Sequence, residues 1–268
     1  HGAVIIEQCA VRSLDFSSGS LSGVLTERGT IKCNRVVCAG GAWTSLFCRH
    51  LGFDIPQLTV RATVARTAPG GDLFNGCAAG SGIAFRQRRD GGYTLAANGF
   101  FDHYVSRDSF RHLIRFLPTI GRSYADFKLR FSNGLFDRLK ATECWSGDDI
   151  SPFERQRVLN PDPSPAAIAE IKRRVKEYLP ILAGLPLIQT WAGMIDTTPD
   201  IVPIMDQVPH LEGLFLATGF SGHGFGIGPG AGRIMADMVA GNPLGHDLSR
   251  FRLGRFSDGS QLEIGPAI

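Results

Sequence analysis

Residues 218–241 read TGFSGHGFGIGPGAGRIMADMVAG, and from Gly222 to Gly232 every second residue is glycine. Glycine loses more backbone freedom on folding than any other residue, so such a run needs a tight turn or a close approach to the backbone. It follows GLFLAT (213–218), a continuous apolar stretch of the kind found in a strand buried on both faces. After it, the pattern predicts a helix that begins at Pro229, turns Ile234, Met235, Met238 and Val239 inward, and stops at Gly241 with Pro243 beyond. Strand, glycine loop and helix make an α/β unit. The helix N-terminus, with unsatisfied N–H donors and about half a positive charge, points back into the loop.

Spacing excludes two phosphate cradles. A G-x-G-x-x-G fingerprint mixes even and odd separations, whereas the glycines from 222 to 232 are all separated by even numbers, and G-x-x-x-x-G-K-[ST] is absent. The residues alone leave open an anion-attracting loop or a loop that only packs tightly.

Upstream, 3–7 (AVIIE), 22–28 and 31–38 (IKCNRVVC) read as strands. The third runs into AGGAWTSLFCRHLG, whose Trp43, Leu46, Phe47 and His50 fall at helical spacing before Gly52. From about residue 57, QLTVRATVART and GIAFRQRR-DGG-YTLAA alternate as strands around a turn at Asp90–Gly92. Phe110, Leu113, Ile114 and Leu117 form a helical stripe ended by Pro118. A further helix opens with Ser164 as N-cap and Pro165 at its first position, and buries Ile168, Ile171, Val175 and Leu179. The expected fold class is therefore α/β plus α+β, with an antiparallel-sheet domain inserted into an α/β domain.

Charge and composition narrow the function classes. A net charge of +3 with scattered basic residues makes no footprint for nucleic acid. No apolar run approaches the roughly 20 residues of a membrane-spanning helix. The six cysteines, at 9, 33, 38, 48, 77 and 144, include no C-x-x-C pair and no zinc-ligand cluster, so no metal is expected. They read as small buried hydrophobes in a reducing, cytoplasmic setting. The opening HGAVIIEQCAV reads as the middle of a gene product.

In order along the chain, EQCAVRSL, RVVCAGGAWTSLFCRHLG, DGGYTLA, WAGMIDTTPDIVPIMDQV and LFLATGFSGHGFGIGPGAGRIMADMVAG resemble the D-amino-acid-oxidase-type family of FAD-dependent oxidoreductases. That family includes glycine and sarcosine oxidases and D-amino-acid dehydrogenases. The resemblance implies a Rossmann-like FAD-binding domain at 1–56 and 201–268, incomplete at its N-terminus, and a substrate-binding domain at 57–200. It places the adenosine half of FAD at Val11, Ala39, Gly40, Gly41 and Trp43. The isoalloxazine ring would lie against the loop from Gly219 to Gly228, at Gly219, Gly222, His223, Gly224, Phe225, Gly226 and Ile227. There the following helix N-terminus meets charge that develops near N1 and O2 of the ring.

The implied reaction is oxidation of the C–N bond of an amine or amino acid by hydride transfer to flavin N5, giving an imine that hydrolyses. No catalytic acid or base is singled out. Covalent flavin attachment in sarcosine-oxidase-type members uses a cysteine that 193–198 lacks, so the FAD is expected to be non-covalent. Where many members carry an arginine for the substrate carboxylate, this chain has Ile195 followed by Asp196. Arg86 or Arg88 could replace it, since guanidinium grips carboxylate bidentately. His103, Trp191 and Met194 are candidate pocket-lining residues. The family's G-x-G-x-x-G unit is absent, so an N-terminal segment or a partner chain is expected to hold the FAD pyrophosphate. The alternatives are a non-catalytic or accessory subunit, and a related FAD enzyme acting on a hydroxyl group.

Overall fold

The computed structural model describes residues 2–71, 74–80, 82–123, 127–131 and 144–265. Three antiparallel strands open the fold: β1 (Val11–Ser17), β2 (Ser20–Thr26) and β3 (Gly29–Lys32). The β1–β2 turn places Ser18 and Gly19 at φ +53° and +86°, the paired left-handed residues of a tight hairpin. No strand forms at 3–7. Val4 and Ile5 are exposed at 83% and 86%, and an apolar run becomes a strand only where a neighbour accepts its hydrogen bonds.

The expected strand 31–38 is two strands in different sheets. Backbone groups of β3 pair with β2, whereas those of β4 (Val36–Cys38) pair in parallel with β13 (Leu214–Thr218). Cys33 and Cys38 therefore share no strand. Only Cys48 of the six cysteines is buried; Cys77 and Cys144 are exposed. After β4, a single 3-10 turn (Gly41–Trp43) leads into α1 (Thr44–His50), and Gly52 at φ +88° ends it.

The middle of the chain builds a seven-stranded sheet from β5 (Leu58–Thr67), β6 (Cys77–Gly80), β7 (Ile83–Gln87), β8 (Tyr93–Ala97), β9 (Phe101–Tyr104), β10 (Phe127–Arg130) and β11 (Leu187–Thr197). Pairing is antiparallel except between β9 and β10. The β7–β8 hairpin turns as expected, with Gly91 at φ +80° and Asp90 accepting from the Gly92 N–H at 3.0 Å.

Between β9 and β10 stand two helices, α2 (Arg107–Arg111) and α3 (Leu113–Ser123). The expected stripe faces outward: Phe110, Leu113, Ile114 and Leu117 are 64%, 46%, 81% and 53% exposed. His112, Phe116 and Thr119, also at helical spacing, are the residues buried, and the helix carries Pro118 inside it. Periodicity marked a helix but selected the wrong one of two apolar rows.

Farther on come α4 (Pro152–Arg155) and α5 (Pro165–Tyr178), the latter capped by Ser164 and stopped at Leu179. Its Ile171, Val175 and Leu179 pack with Ala65, Ile83, Tyr93 and Leu95 on one face of the large sheet, while Ile168 is half-buried. Residues 145–157 lie instead against β1 and β2. Glu154 accepts from Arg12 at 2.7 Å, the Trp145 indole N–H donates to the Arg12 carbonyl at 2.8 Å, and the Trp145 ring stacks on His50 at 3.9 Å.

The chain closes with β12 (Ile204–Gln207), the fully buried β13, and α6 (Gly224–Ala240). The third sheet runs β12-β13-β4. This is the expected α/β plus α+β composition. The glycine run starts the helix at Gly224, five residues earlier than the sequence suggests, with Pro229 inside it. Proline is tolerated in a first turn because the N–H it lacks has no helical acceptor; Pro229 lies just past that turn. Gly241 caps α6 at φ +77°, as expected. No helix among the described residues is long and apolar enough to cross a membrane.

Candidate functional site

The chain turns at the carboxyl ends of β4 and β13 build the site. After β13, Gly219, Ser221 and Gly222 adopt φ of +74°, +51° and +82°, which folds 219–223 into a compact left-handed turn. The expected glycine loop is thus only this turn; Gly224 to Gly228 are helix. An added Cβ at Gly219 would lie 2.5 Å from Thr198 Cγ2, so this glycine is required by close packing as well as by φ.

A buried hydrogen-bonded knot fixes the turn. Asp196 Oδ2 accepts from the Gly219 N–H at 2.6 Å, from Gln57 Nε2 at 2.9 Å and from Thr218 Oγ1 at 3.1 Å. Gln57 Nε2 also donates to the Gly41 carbonyl at 3.1 Å, and its Oε1 accepts from the Ser45 N–H at 3.0 Å. Asp196 of β11 and Gln57, the residue before β5, thereby together tie the turn after β13 to the turn after β4 and to the start of α1. Gln57, Thr218 and Ser45 were not legible as site residues, because partners separated by 12 to 161 positions meet only in the fold.

The twelve cofactor candidates fall into three groups. Val11, Ala39, Gly40 and Trp43 line one cavity of about 480 Å³, bounded also by Leu14, Val24 and Phe47. Gly41, at φ +55°, lines a second groove of about 520 Å³ with Val37, Ala39, Asp196 and the α6 residues Gly228, Ala231 and Gly232. Gly219, Gly222, His223, Gly224, Phe225, Gly226 and Ile227 form the turn and the first turn of α6. There the N–H groups of Gly224 and Phe225 donate to no backbone acceptor among the described residues, and Phe225 is 99% exposed.

Four glycines of α6 stand out energetically. An added Cβ at Gly226, Gly228, Gly230 or Gly232 would meet nothing within 4 Å. Each glycine inside a helix costs about 0.8–1.0 kcal/mol relative to alanine, and packing within the described chain requires none of these four. β4 is likewise open: it has β13 on one side, no strand on the other among the described residues, and Val37 is 40% exposed.

The substrate candidates are brought together only in part. Cross-strand register puts Trp191, Val64, Ala96 and Ala84 in one row on the face of the large sheet opposite α5. The adjacent row on that face holds Gln189, Arg66, Thr94 and Arg86. Arg86 is exposed there, with no ion pair to a described residue, whereas Arg88 is held in the hairpin by Asp90 and Thr94. Met194, three residues from Trp191, lies on the other face opposite Arg61, as strand alternation dictates. His103 is buried beside α2: its Nδ1 meets the Thr59 carbonyl at 2.8 Å and its Nε2 meets Ser109 Oγ at 2.9 Å. Burial pushes the imidazole pKa down, which favours the neutral ring, Nδ1–H donating and Nε2 accepting, and the ring lines a cavity with Val60 and Val105. No cluster able to hold a metal occurs among the described residues.

The family model for FAD-dependent oxidoreductases of the DAO type matches residues 1–238. The chain is 23% identical over 235 residues to a glycine oxidase of Pseudomonas aeruginosa, covering 88% of this chain and 50% of that protein. It is 25% identical over 247 residues to a peroxisomal sarcosine oxidase of Mus musculus, covering 90% and 53%. Among solved structures, an L-amino acid deaminase from Proteus myxofaciens in complex with anthranilate superposes with a TM-score of 0.87 at 30% identity, covering 93% of this chain and 56% of that one. The chain thus spans about half the length of the curated relatives it matches. It belongs to the DAO family of FAD-dependent oxidoreductases.

Proposed function

We propose that these residues form part of the FAD site and the substrate-facing sheet of an enzyme that oxidises the C–N bond of an amine or amino acid, the resulting imine then hydrolysing. The observation that carries this reading is the bare ground along the start of α6. Four helical glycines whose added Cβ would meet no described residue outside the helix's own backbone within 4 Å, and two N–H donors without a backbone acceptor among the described residues, are costly unless a ligand or another segment takes that space.

The residues fit FAD. The cavity at Val11, Ala39, Gly40 and Trp43 is of a size for the adenosine half, and Gly219 to Ile227 would hold the ring end non-covalently, since 193–198 offers no cysteine. When bound, FAD supplies an acceptor for the hydride of the carbon beside the nitrogen. The N–H groups of Gly224 and Phe225, preset at a helix N-terminus, would stabilise a group that gains negative charge there. The Asp196 knot keeps that turn in place before any ligand arrives, so little reorganisation accompanies charge development. Trp191 and Arg86, on the open sheet face, would contact substrate.

The FAD pyrophosphate would be held by a segment outside these 268 residues. G-x-G-x-x-G is absent, while the open edge of β4 and the groove beside Gly228 and Gly232 provide a docking place. In this reading, 1–56 and 201–268 serve the flavin and 57–200 the substrate, with 145–157 braced against the former. Mixing the FAD-loaded protein anaerobically with amines, amino acids and 2-hydroxy acids tests the reaction. Loss of oxidised-flavin absorbance is expected with an amine or amino acid. Loss with hydroxy acids alone would overturn the reading, and loss with none would favour an accessory role.

A further inference from the structure

Beside the flavin-facing turn lies a cavity of about 430 Å³ that the reading above does not use. It sits between the sheet and the α2–α3 pair. Leu58, Val60, Val105, Phe116 and Phe127 are among its walls, and Phe110, Leu113 and Leu129 form an exposed apolar lip. Among the described residues, no lysine, arginine, aspartate or glutamate lines it.

Its few polar groups are already satisfied. His103 is bonded to Thr59 and Ser109, and Thr119 Oγ1 donates to the Pro199 carbonyl. Thr197 Oγ1 accepts from Ser221 Oγ at 3.3 Å, so this wall of the cavity touches the turn that precedes α6. Ile195, opposite Val60 on the same sheet face, adds no charge beside it. A charged or strongly polar guest would be desolvated here without a partner, while an apolar guest would gain from burial.

We propose that this cavity receives the side chain of the substrate, and that the protein acts on amines or amino acids bearing a large apolar group, aromatic or long aliphatic. The inference rests on the amine-oxidising reading. Its volume falls within the range of sites that enclose small molecules, and a substrate as small as glycine or sarcosine would leave it empty.

The test is isothermal titration of the FAD-loaded protein with racemic phenylalanine and racemic alanine, alongside Leu113→Trp and Val60→Phe, which narrow the cavity from its lip and from the sheet. Phenylalanine is expected to bind about tenfold to a hundredfold more tightly than alanine, the gain from burying one aromatic side chain. Leu113→Trp, on a half-exposed lip, should remove most of that preference. Equal affinity for the two amino acids would overturn the cavity assignment even if both are oxidised. Preferential binding of phenylalanine without flavin reduction would uphold the cavity and overturn the oxidase reading. Unchanged preference in both variants would overturn the assignment, as would a rise in melting temperature with Leu113→Trp and no change in affinity, which would mean that protein fills the space.

Discussion

Valine at Gly224 is expected to strip the protein of FAD. Gly224 is the first residue of α6, and its N–H is one of the two at the helix start that donate to no backbone acceptor among the described residues. A Cβ there would lie 3.3 Å from Phe220 Cβ, and the second and third carbons of valine would extend toward Phe220 or over the free donors. Overpacking of this kind costs about 1–3 kcal/mol, so FAD affinity should fall by about tenfold to a hundredfold. Flavin absorbance per protein after gel filtration reads the effect. Gly224→Ala separates blocking from damage: it adds one carbon, needs a shift of a few tenths of an ångström at Phe220, and should keep more flavin than the valine variant. Equal, full flavin content in both variants would contradict the placement.

A second large effect is expected at Asp200, which follows Pro199 at the end of β11. Arg255 and Asp200 are each only 3% exposed and meet through two bonds, at 2.7 and 3.0 Å; Arg255 also donates to the Val202 carbonyl at 2.6 Å. The pair clamps a strained turn, since buried, β-branched Ile201 is held at φ +59°. Asp200→Ala leaves the guanidinium buried without its counter-charge, which costs about 3–5 kcal/mol. For a chain of this size the melting temperature should drop by roughly 5–10 °C. Asp200→Ala combined with Arg255→Met should recover part of the loss, because the orphaned charge is then gone. A loss under about 1 kcal/mol in the single variant would show that the pair does not clamp the turn.

Much of this was legible in the residues. Apolar GLFLAT became a strand buried throughout, Gly241 capped the last helix, and Asp90–Gly92 turned the hairpin, because each is settled by neighbours close in sequence. The opposite faces of Trp191 and Met194 also follow from strand alternation and could have been read in advance. What could not be read is what tertiary contact decides. No local pattern joins Gln57 to Asp196 and Thr218, and the α2–α3 rows could be told apart only once the sheet beneath them existed. The glycine run misled at its start: alternation suggested a loop to Pro229, yet helical hydrogen bonds form from Gly224 and leave its outer surface bare.

If the turns after β4 and β13 jointly receive FAD, both lose solvent access when it binds. Hydrogen exchange of backbone amides, recorded on the protein with and without FAD, tests this most directly. FAD is expected to slow exchange in both 39–43 and 219–227, with the largest change at Gly224 and Phe225. FAD binding that protects neither segment, or protects only residues on the large sheet, would contradict it.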